Sequence, residues 1–433
     1  MADRRRNRGW FGAIAQLPRG VWARIVGDSL ALALGRLLLA ALVFGLGALL
    51  FVSAGLVPIA ASQGHWPITR VLLHFAMRRS VQTHALAVKP PPAEEQLLDT
   101  EAMVLKGAGH YAEGCLPCHG APGHPRAEVV LHSVPKPPYL PPMVDDWNDR
   151  ELFWIIKHGI KYTAMPAWPS QRRDDEAWAM VAFLRRLPQL GPAEFRQLAY
   201  GEDAEVPDIG PTRSSTEPQA LANCARCHGR DGAGRGDGAF PPLAGQSEAY
   251  LLASLQAYAR GDRYSGVMQP VAAALDAGEM RALARYYAAA DGGGRDGSGN
   301  GHGASRDGTG GDEGARRTDA GQANTLRAAI ARGEQLAREG VASRRVASCV
   351  ECHGPGRAPR NPLYPRLAGQ PAAYIELQLS LFKQRDRGGT AYAGIMATVA
   401  ERLEPDDIRD LALFYASLPT DGGAVNEGAA GLR

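Results

Sequence analysis

Charge of one sign is the first thing missing from this chain of 433 residues, whose formal net charge is only +3. A field that weak leaves no electrostatic footprint for nucleic acid, so none is expected as a partner. Lysine is scarce: Lys89, Lys106, Lys136, Lys157, Lys161 and Lys383 are the full set, and nearly all the positive charge is arginine. Aromatics make up 7%. Period-two alternation of apolar and polar residues is rare, which argues against sandwiches and barrels and leaves an all-α fold. Only one apolar run is long enough to cross a bilayer, so no second transmembrane helix exists to sandwich a cofactor inside a membrane. Cysteine is limited to six residues, all in close pairs, with none left over.

Those pairs are Cys115/Cys118, Cys224/Cys227 and Cys349/Cys352, and a histidine follows each at once: His119, His228 and His353. The runs read CLPCH, CARCH and CVECH. A disulfide framework would not place histidine after every pair, a thioredoxin-like site would occur once, and a structural zinc needs four ligands at finger-like spacing. C-x-x-C-H is the haem attachment signature. Two thiols add across the two vinyl groups of haem, two intervening residues let one helical turn span both, and the next imidazole points at the iron. Covalent attachment keeps the group in a unit too small to bury it otherwise. Three haem c groups are therefore expected.

The iron's other face needs a ligand, and methionine there gives an electron-transfer centre of high potential. Met165, Met268 and Met396 lie 46, 40 and 43 residues after the three histidines, each expected on a loop before a final helix. The competing role for a lone methionine is core packing, which suits Met280; Met143 sits in a proline-rich stretch. Each unit also has Pro-x-Leu between histidine and methionine, at Pro138, Pro241 and Pro365. A carbonyl held there can accept the axial histidine's other N–H and hold its tautomer.

Residues 1–29 form a basic segment and 30–57 a transmembrane anchor built on the uncharged run Leu37 to Val57. Arginines crowd its N-terminal side, which places the N-terminus in the cytoplasm and the rest outside. A signal-peptide core is usually shorter, although the small residues around Ala60 to Ser62 also fit cleavage. Within 58–92, His65 to His84 reads as an amphipathic helix on lipid or against a partner, its histidines hydrogen-bonded rather than ligating, followed by a proline spacer at Lys89 to Pro92. Haem units are expected at 93–190, 217–290 and 323–420. They are separated by a linker (191–216) and a low-complexity Gly/Asp tether (291–322), which includes His302, and a tail covers 421–433. Trp154, Trp168, Trp178, Tyr286, Tyr287, Phe414 and Tyr415 are read as haem-packing core.

At these residues the chain resembles the class I cytochrome c family three times over, from Leu97 to Pro419. The phrase FPPLAGQSEAYLLASLQAYARGDR in the second unit mirrors YPRLAGQPAAYIELQLSLFKQRDR in the third. This is similar to the tandem dihaem cytochromes c of bacterial periplasms, whose domains face each other across a pseudo-twofold axis; the tether after Asp291 departs from their compact linker. The first unit, with GAGHYAEGCLPCHGAPG and ELFWIIKHGIKYTAMPAW, resembles cytochrome domains fused to respiratory oxidases and dehydrogenases. Its Gly107 and Tyr111 match the family's helix-crossing positions. The resemblance implies a carrier rather than an enzyme: a periplasmic trihaem cytochrome anchored in the inner membrane that passes electrons toward a terminal oxidase. One alternative is a subunit that accepts electrons from a periplasmic alcohol or sugar-acid dehydrogenase. A haem peroxidase is a further alternative, which three methionines oppose because it needs an exchangeable iron site.

Overall fold

The computed structural model describes residues 19–57, 59–90, 100–201, 219–236, 238–290, 313–355 and 361–419. The linker beyond 201, most of the tether and the tail lie outside the described residues, as do the extreme N-terminus and Pro91 and Pro92. The chain divides into two compact bodies, Met1–Trp66 and Pro67–Arg433. Among the described residues there are helices and two isolated bridges but no strand.

The first body is built on α1 (Arg19–Ser53). Its segment Leu30–Ser53 is long and apolar enough to cross a membrane, and none of it is buried within the protein. The helix ends four residues short of the expected span because Gly55, at φ 69°, turns the backbone out of helical geometry.

The second body begins with α2 (Pro67–Ala85). Val81 and Ala85 are buried, whereas Ile68, Val71, Leu72 and Phe75 are exposed. Next come α3 (Glu101–Gly114), α4 (Leu116–His119), α5 (Asp149–His158), α6 (Asp174–Arg186) and α7 (Pro192–Tyr200). Helix α5 starts on a capping box in which Asn148 and Glu151 satisfy each other's amides. It stops at Gly159, whose φ of 63° suits glycine. The end of α2 docks on α5, where the His84 ring lies 5.5 Å from Trp154 and Arg78 sits 4.5 Å above Trp147. His84 Nδ1 also lies 2.7 Å from its own helix's Ser80 carbonyl.

Helices α3 and α6 cross at Gly107, where any Cβ would overlap the Ala179 carbonyl and Phe183. Tyr111 is fully buried at that crossing, its ring 5.1 Å from Phe183. Residues 192–200 belong to this core rather than to a linker. Phe195 and Ala199, four apart on α7, are fully buried against it, so the expected linker loses its first ten residues.

The second unit comprises α8 (Gln219–His228), α9 (Glu248–Ala259), α10 (Met268–Ala273) and α11 (Ala277–Ala289). The third comprises α12 (Glu313–Glu339), α13 (Val350–His353), α14 (Ala372–Lys383), α15 (Ala393–Ala400) and α16 (Pro405–Ser417). Helix α12 begins inside the expected tether, of which 291–312 lies outside the described residues. It crosses α16 at Gly333, packed against the Asp410 backbone and Phe414.

The repeated phrase places the second and third units face to face. Gln246 donates to the Arg366 carbonyl at 2.8 Å and accepts from the Arg366 amide at 3.0 Å. Gln370, its counterpart, donates to the Pro242 carbonyl at 2.9 Å. Arg263 reaches the Tyr374 hydroxyl at 3.4 Å, and its counterpart Arg387 reaches the Tyr250 hydroxyl at 3.1 Å. Equivalent residues thus exchange equivalent bonds, which is the signature of a pseudo-twofold axis.

Candidate haem sites

Each C-x-x-C-H run coils into one helical turn, so both sulfurs and the imidazole project from a single short element. Cys115 to His119 closes with the His119 amide donating to the Cys115 carbonyl at 2.9 Å, and Cys349 to His353 closes identically at 2.9 Å. Cys224, Cys227 and His228 occupy the last turn of α8. The six sulfurs, free thiols here, stand in for the thioether sulfurs of a haem-bearing chain. Burial pushes the Cys115 thiol up to about 12 and those of Cys224 and Cys349 to about 11, so all three turns face apolar surroundings.

The histidines share one geometry. Nδ1 of His119 lies 2.9 Å from the Pro138 carbonyl, that of His228 lies 3.0 Å from Pro241 and that of His353 lies 2.8 Å from Pro365. With Nδ1–H donating to a carbonyl, the ring keeps the tautomer whose Nε2 lone pair can bind a metal. Burial lowers the pKa of His119 and of His228, which favours the neutral form a ligand needs; the proline carbonyl opposes this at both.

Cys224, Cys227, His228 and Met268 line one cavity, which continues without a wall to Cys352, His353 and Met396 of the third unit. The donor types fit haem there: cysteine sulfurs, an imidazole and a methionine thioether line each unit's part of it, with Leu243, Leu251, Ile375 and Leu379 as apolar lining. Met165 belongs to the first unit, in the loop after α5. Its amide donates to Thr163 Oγ1 at 3.1 Å, and the Thr163 hydroxyl donates to the Ile160 carbonyl at 2.7 Å. Met268 and Met396 are not on loops as expected: Met268 opens α10 and Met396 lies within α15. The aromatic residues also divide. Trp178, Tyr287, Phe414 and Tyr415 are buried, Trp154 and Trp168 are half-buried, and Tyr286 is exposed because its neighbour Tyr287 takes the inward face of α11.

Several residues at these sites carry no motif. Arg263, 5% exposed, lies 4.6 Å above the Tyr258 ring and donates to Ser254 Oγ at 3.1 Å. His110 on α3 is buried beside the second unit's cavity with neither ring nitrogen paired, and burial drops its pKa to about 3. Glu176 on α6 is 2% exposed. The signal available in sequence was a charged or polar residue at an inward helical position, which periodicity alone reads as an irregularity.

The family model "Cytochrome C oxidase, cbb3-type, subunit III" matches residues 102–184, and the family model "Cytochrome c" matches residues 218–289. A thiosulfate dehydrogenase electron acceptor of Thiomonas intermedia is 33% identical over 209 residues, 48% of this chain and 84% of that protein. Cytochrome c4 of Pseudomonas aeruginosa is 27% identical over 198 residues, 46% of this chain and 84% of that protein. Among solved structures, reduced cytochrome c4 from Pseudomonas stutzeri is 28% identical, covering 46% of this chain and 96% of that one at a TM-score of 0.36. The all-α architecture and the haem attachment turns define an electron carrier of c type. The chain belongs to the class I cytochrome c family. Covalent haem c is the cofactor such domains imply, and electron transfer is the function.

Proposed function

We propose that this protein is a membrane-anchored trihaem cytochrome c that accepts electrons from a dehydrogenase outside the cytoplasmic membrane and passes them toward a terminal oxidase. The carrying observation is the threefold recurrence of a C-x-x-C-H turn whose histidine Nδ1 meets a proline carbonyl. In this reading Cys115/Cys118, Cys224/Cys227 and Cys349/Cys352 bear haem; His119 with Met165, His228 with Met268, and His353 with Met396 are the axial pairs; and Pro138, Pro241 and Pro365 orient the imidazoles. Bound haem supplies an iron that cycles between two oxidation states. The polypeptide orients the ligands, excludes water from the cavity and sets the distance between centres. Haem units fall at 93–201, 217–290 and 313–420, and one chain holding all three keeps their effective concentration high.

The donor side is supported by relatives named as thiosulfate dehydrogenase electron acceptors, and the acceptor side by the oxidase-subunit family model over the first unit. Helix α1 is read as a retained anchor, with the haem units in the periplasm. The exposed apolar face of α2 at Ile68, Val71, Leu72 and Phe75 suits contact with lipid. The test uses salt-washed membranes bearing the protein, supplied under anaerobic conditions with thiosulfate and a thiosulfate dehydrogenase. The expected result is reduction of membrane-retained haem c, reversed by oxygen when the oxidase is present. Haem that washes free of the membrane, or stays oxidised with every dehydrogenase tried, would overturn the assignment.

A further inference from the structure

Met268 does not hold its position with its own unit's residues alone. Its amide donates to Ser265 Oγ at 3.0 Å, and the Val267 amide donates to the same oxygen at 3.3 Å. With its lone pairs taken by two amides, the Ser265 hydroxyl sends its proton to Glu176 Oε1, 2.7 Å away on α6 of the first unit. Glu176 Oε2 accepts from the Gly266 amide at 2.6 Å and from Trp168 Nε1 at 2.9 Å. Arg173 holds the same carboxylate at 3.0 Å and donates to the Tyr264 carbonyl at 2.9 Å. The Trp168 indole lies flush on Gly266, where no Cβ would fit. A run of five residues, 264–268, is thereby clamped by three side chains of another unit.

The first unit offers an internal control. Met165 is supported by the same device, a hydroxyl that accepts the methionine amide, but there the Thr163 proton goes to a carbonyl of its own loop. In the second unit the device is completed from outside. Buried carboxylates are costly unless fully hydrogen-bonded, and this loop supplies two of the donors that satisfy Glu176, the Ser265 hydroxyl and the Gly266 amide.

We propose that Glu176 is a positioning residue for the second haem site, acting through Ser265 to hold the loop that presents Met268 to the iron. The first unit therefore completes the second haem's ligation, and the two are one functional piece. This rests on the reading of Met268 as an axial ligand. A neutral thioether is a weak ligand, so its occupancy responds to how firmly the loop is held.

The full chain, made with its haem-attachment machinery, is compared with Glu176→Gln, Ser265→Ala and Met268→Ala. Three readings are taken: the sulfur-to-iron charge-transfer band of the oxidised protein, carbon monoxide bound per chain when reduced, and the three reduction potentials. Met268→Ala is expected to remove about one third of the band, since one of three thioether ligands is lost. Glu176→Gln and Ser265→Ala are expected to retain all haem, weaken the same third of the band, admit carbon monoxide at one haem and shift the same single potential. If Met268→Ala leaves the band intact, the ligand reading fails. If it removes its third while both other variants keep the full band, exclude carbon monoxide and leave every potential in place, the positioning role is overturned. Should Glu176→Gln not fold, Ser265→Ala, which deletes one hydroxyl, decides alone.

Discussion

The junction between the second and third units is built from amides, hydroxyls and guanidinium groups: Gln246 and Gln370 on backbone, Arg263 and Arg387 on tyrosine. The junction between the first and second is one-sided. Glu176 and Arg173 of the first unit bond to the hydroxyl and backbone of residues 264–266, and one ion pair, Arg226 to Glu113, crosses it. A duplicated surface meeting its own copy makes each contact twice, so its chemistry must be self-complementary, and amides and Arg–Tyr pairs satisfy that. A surface meeting a different one makes each contact once, as the Glu176 contacts and the Arg226–Glu113 pair do. The difference indicates that the second and third units form a matched pair to which the first is docked heterologously.

That contrast can be broken by substitution. Arg263→Ala removes a buried guanidinium and strands the Ser254 and Tyr374 hydroxyls, and a loss of about 3 kcal/mol is expected in denaturant unfolding of the haem-bearing protein. Arg387→Ala, its pseudo-symmetric counterpart, is expected to act in the same direction and less strongly, because Arg387 is half-buried. Equal and negligible effects at both positions would remove the case for a matched pair.

Gly107→Ala and Gly333→Ala test whether the first and third units share a helix crossing. Each Cβ would collide with backbone of the facing helix, so about 1–3 kcal/mol of overpacking is expected in both, read as a fall in thermal midpoint. Acid sharpens the comparison of junctions. Burial opposes ionisation of Asp175, but Arg173 and Lys106 beside it win and hold its carboxyl well below the ordinary 3.8. A depressed carboxyl stabilises the fold above its unfolded value and loses that contribution as pH falls through the folded one. The first unit's Asp175–Arg173 pair, whose arginine also bonds the Tyr264 carbonyl of the second unit, is therefore expected to weaken below about pH 4, seen as a fall in thermal midpoint. The smallest effect is expected at Arg332→Ala, an ion pair to Asp410 whose arginine is 61% exposed: a fall in thermal midpoint smaller than either glycine variant gives.

The haem-attachment turns were legible because covalent chemistry demands contiguous residues. The helix Asp149–His158 was legible too, because its start and stop signals are local. Helix α7 was misread as linker: Gly191-Pro192 looks like a turn, and only the burial of Phe195 and Ala199 reveals a helix opening with proline at its first position. Met268 and Met396 were expected on loops before a final helix, yet Met268 opens a short helix and Met396 lies within another. Gln246, Arg263 and their counterparts were visible only as a repeated phrase. Their role depends on two units meeting, which no single-chain periodicity encodes. Glu176 stood out only as a charge at an inward helical position, and the loop it holds lies 89 and 90 residues further along.

The most direct test of the central claim is the intact mass of the purified chain after its haem-attachment machinery has acted and non-covalent haem has been extracted. The account predicts polypeptide plus three haem groups, each lost one at a time when Cys118, Cys227 or Cys352 is replaced together with its pair. A mass with two haems or fewer in the unaltered chain would contradict it.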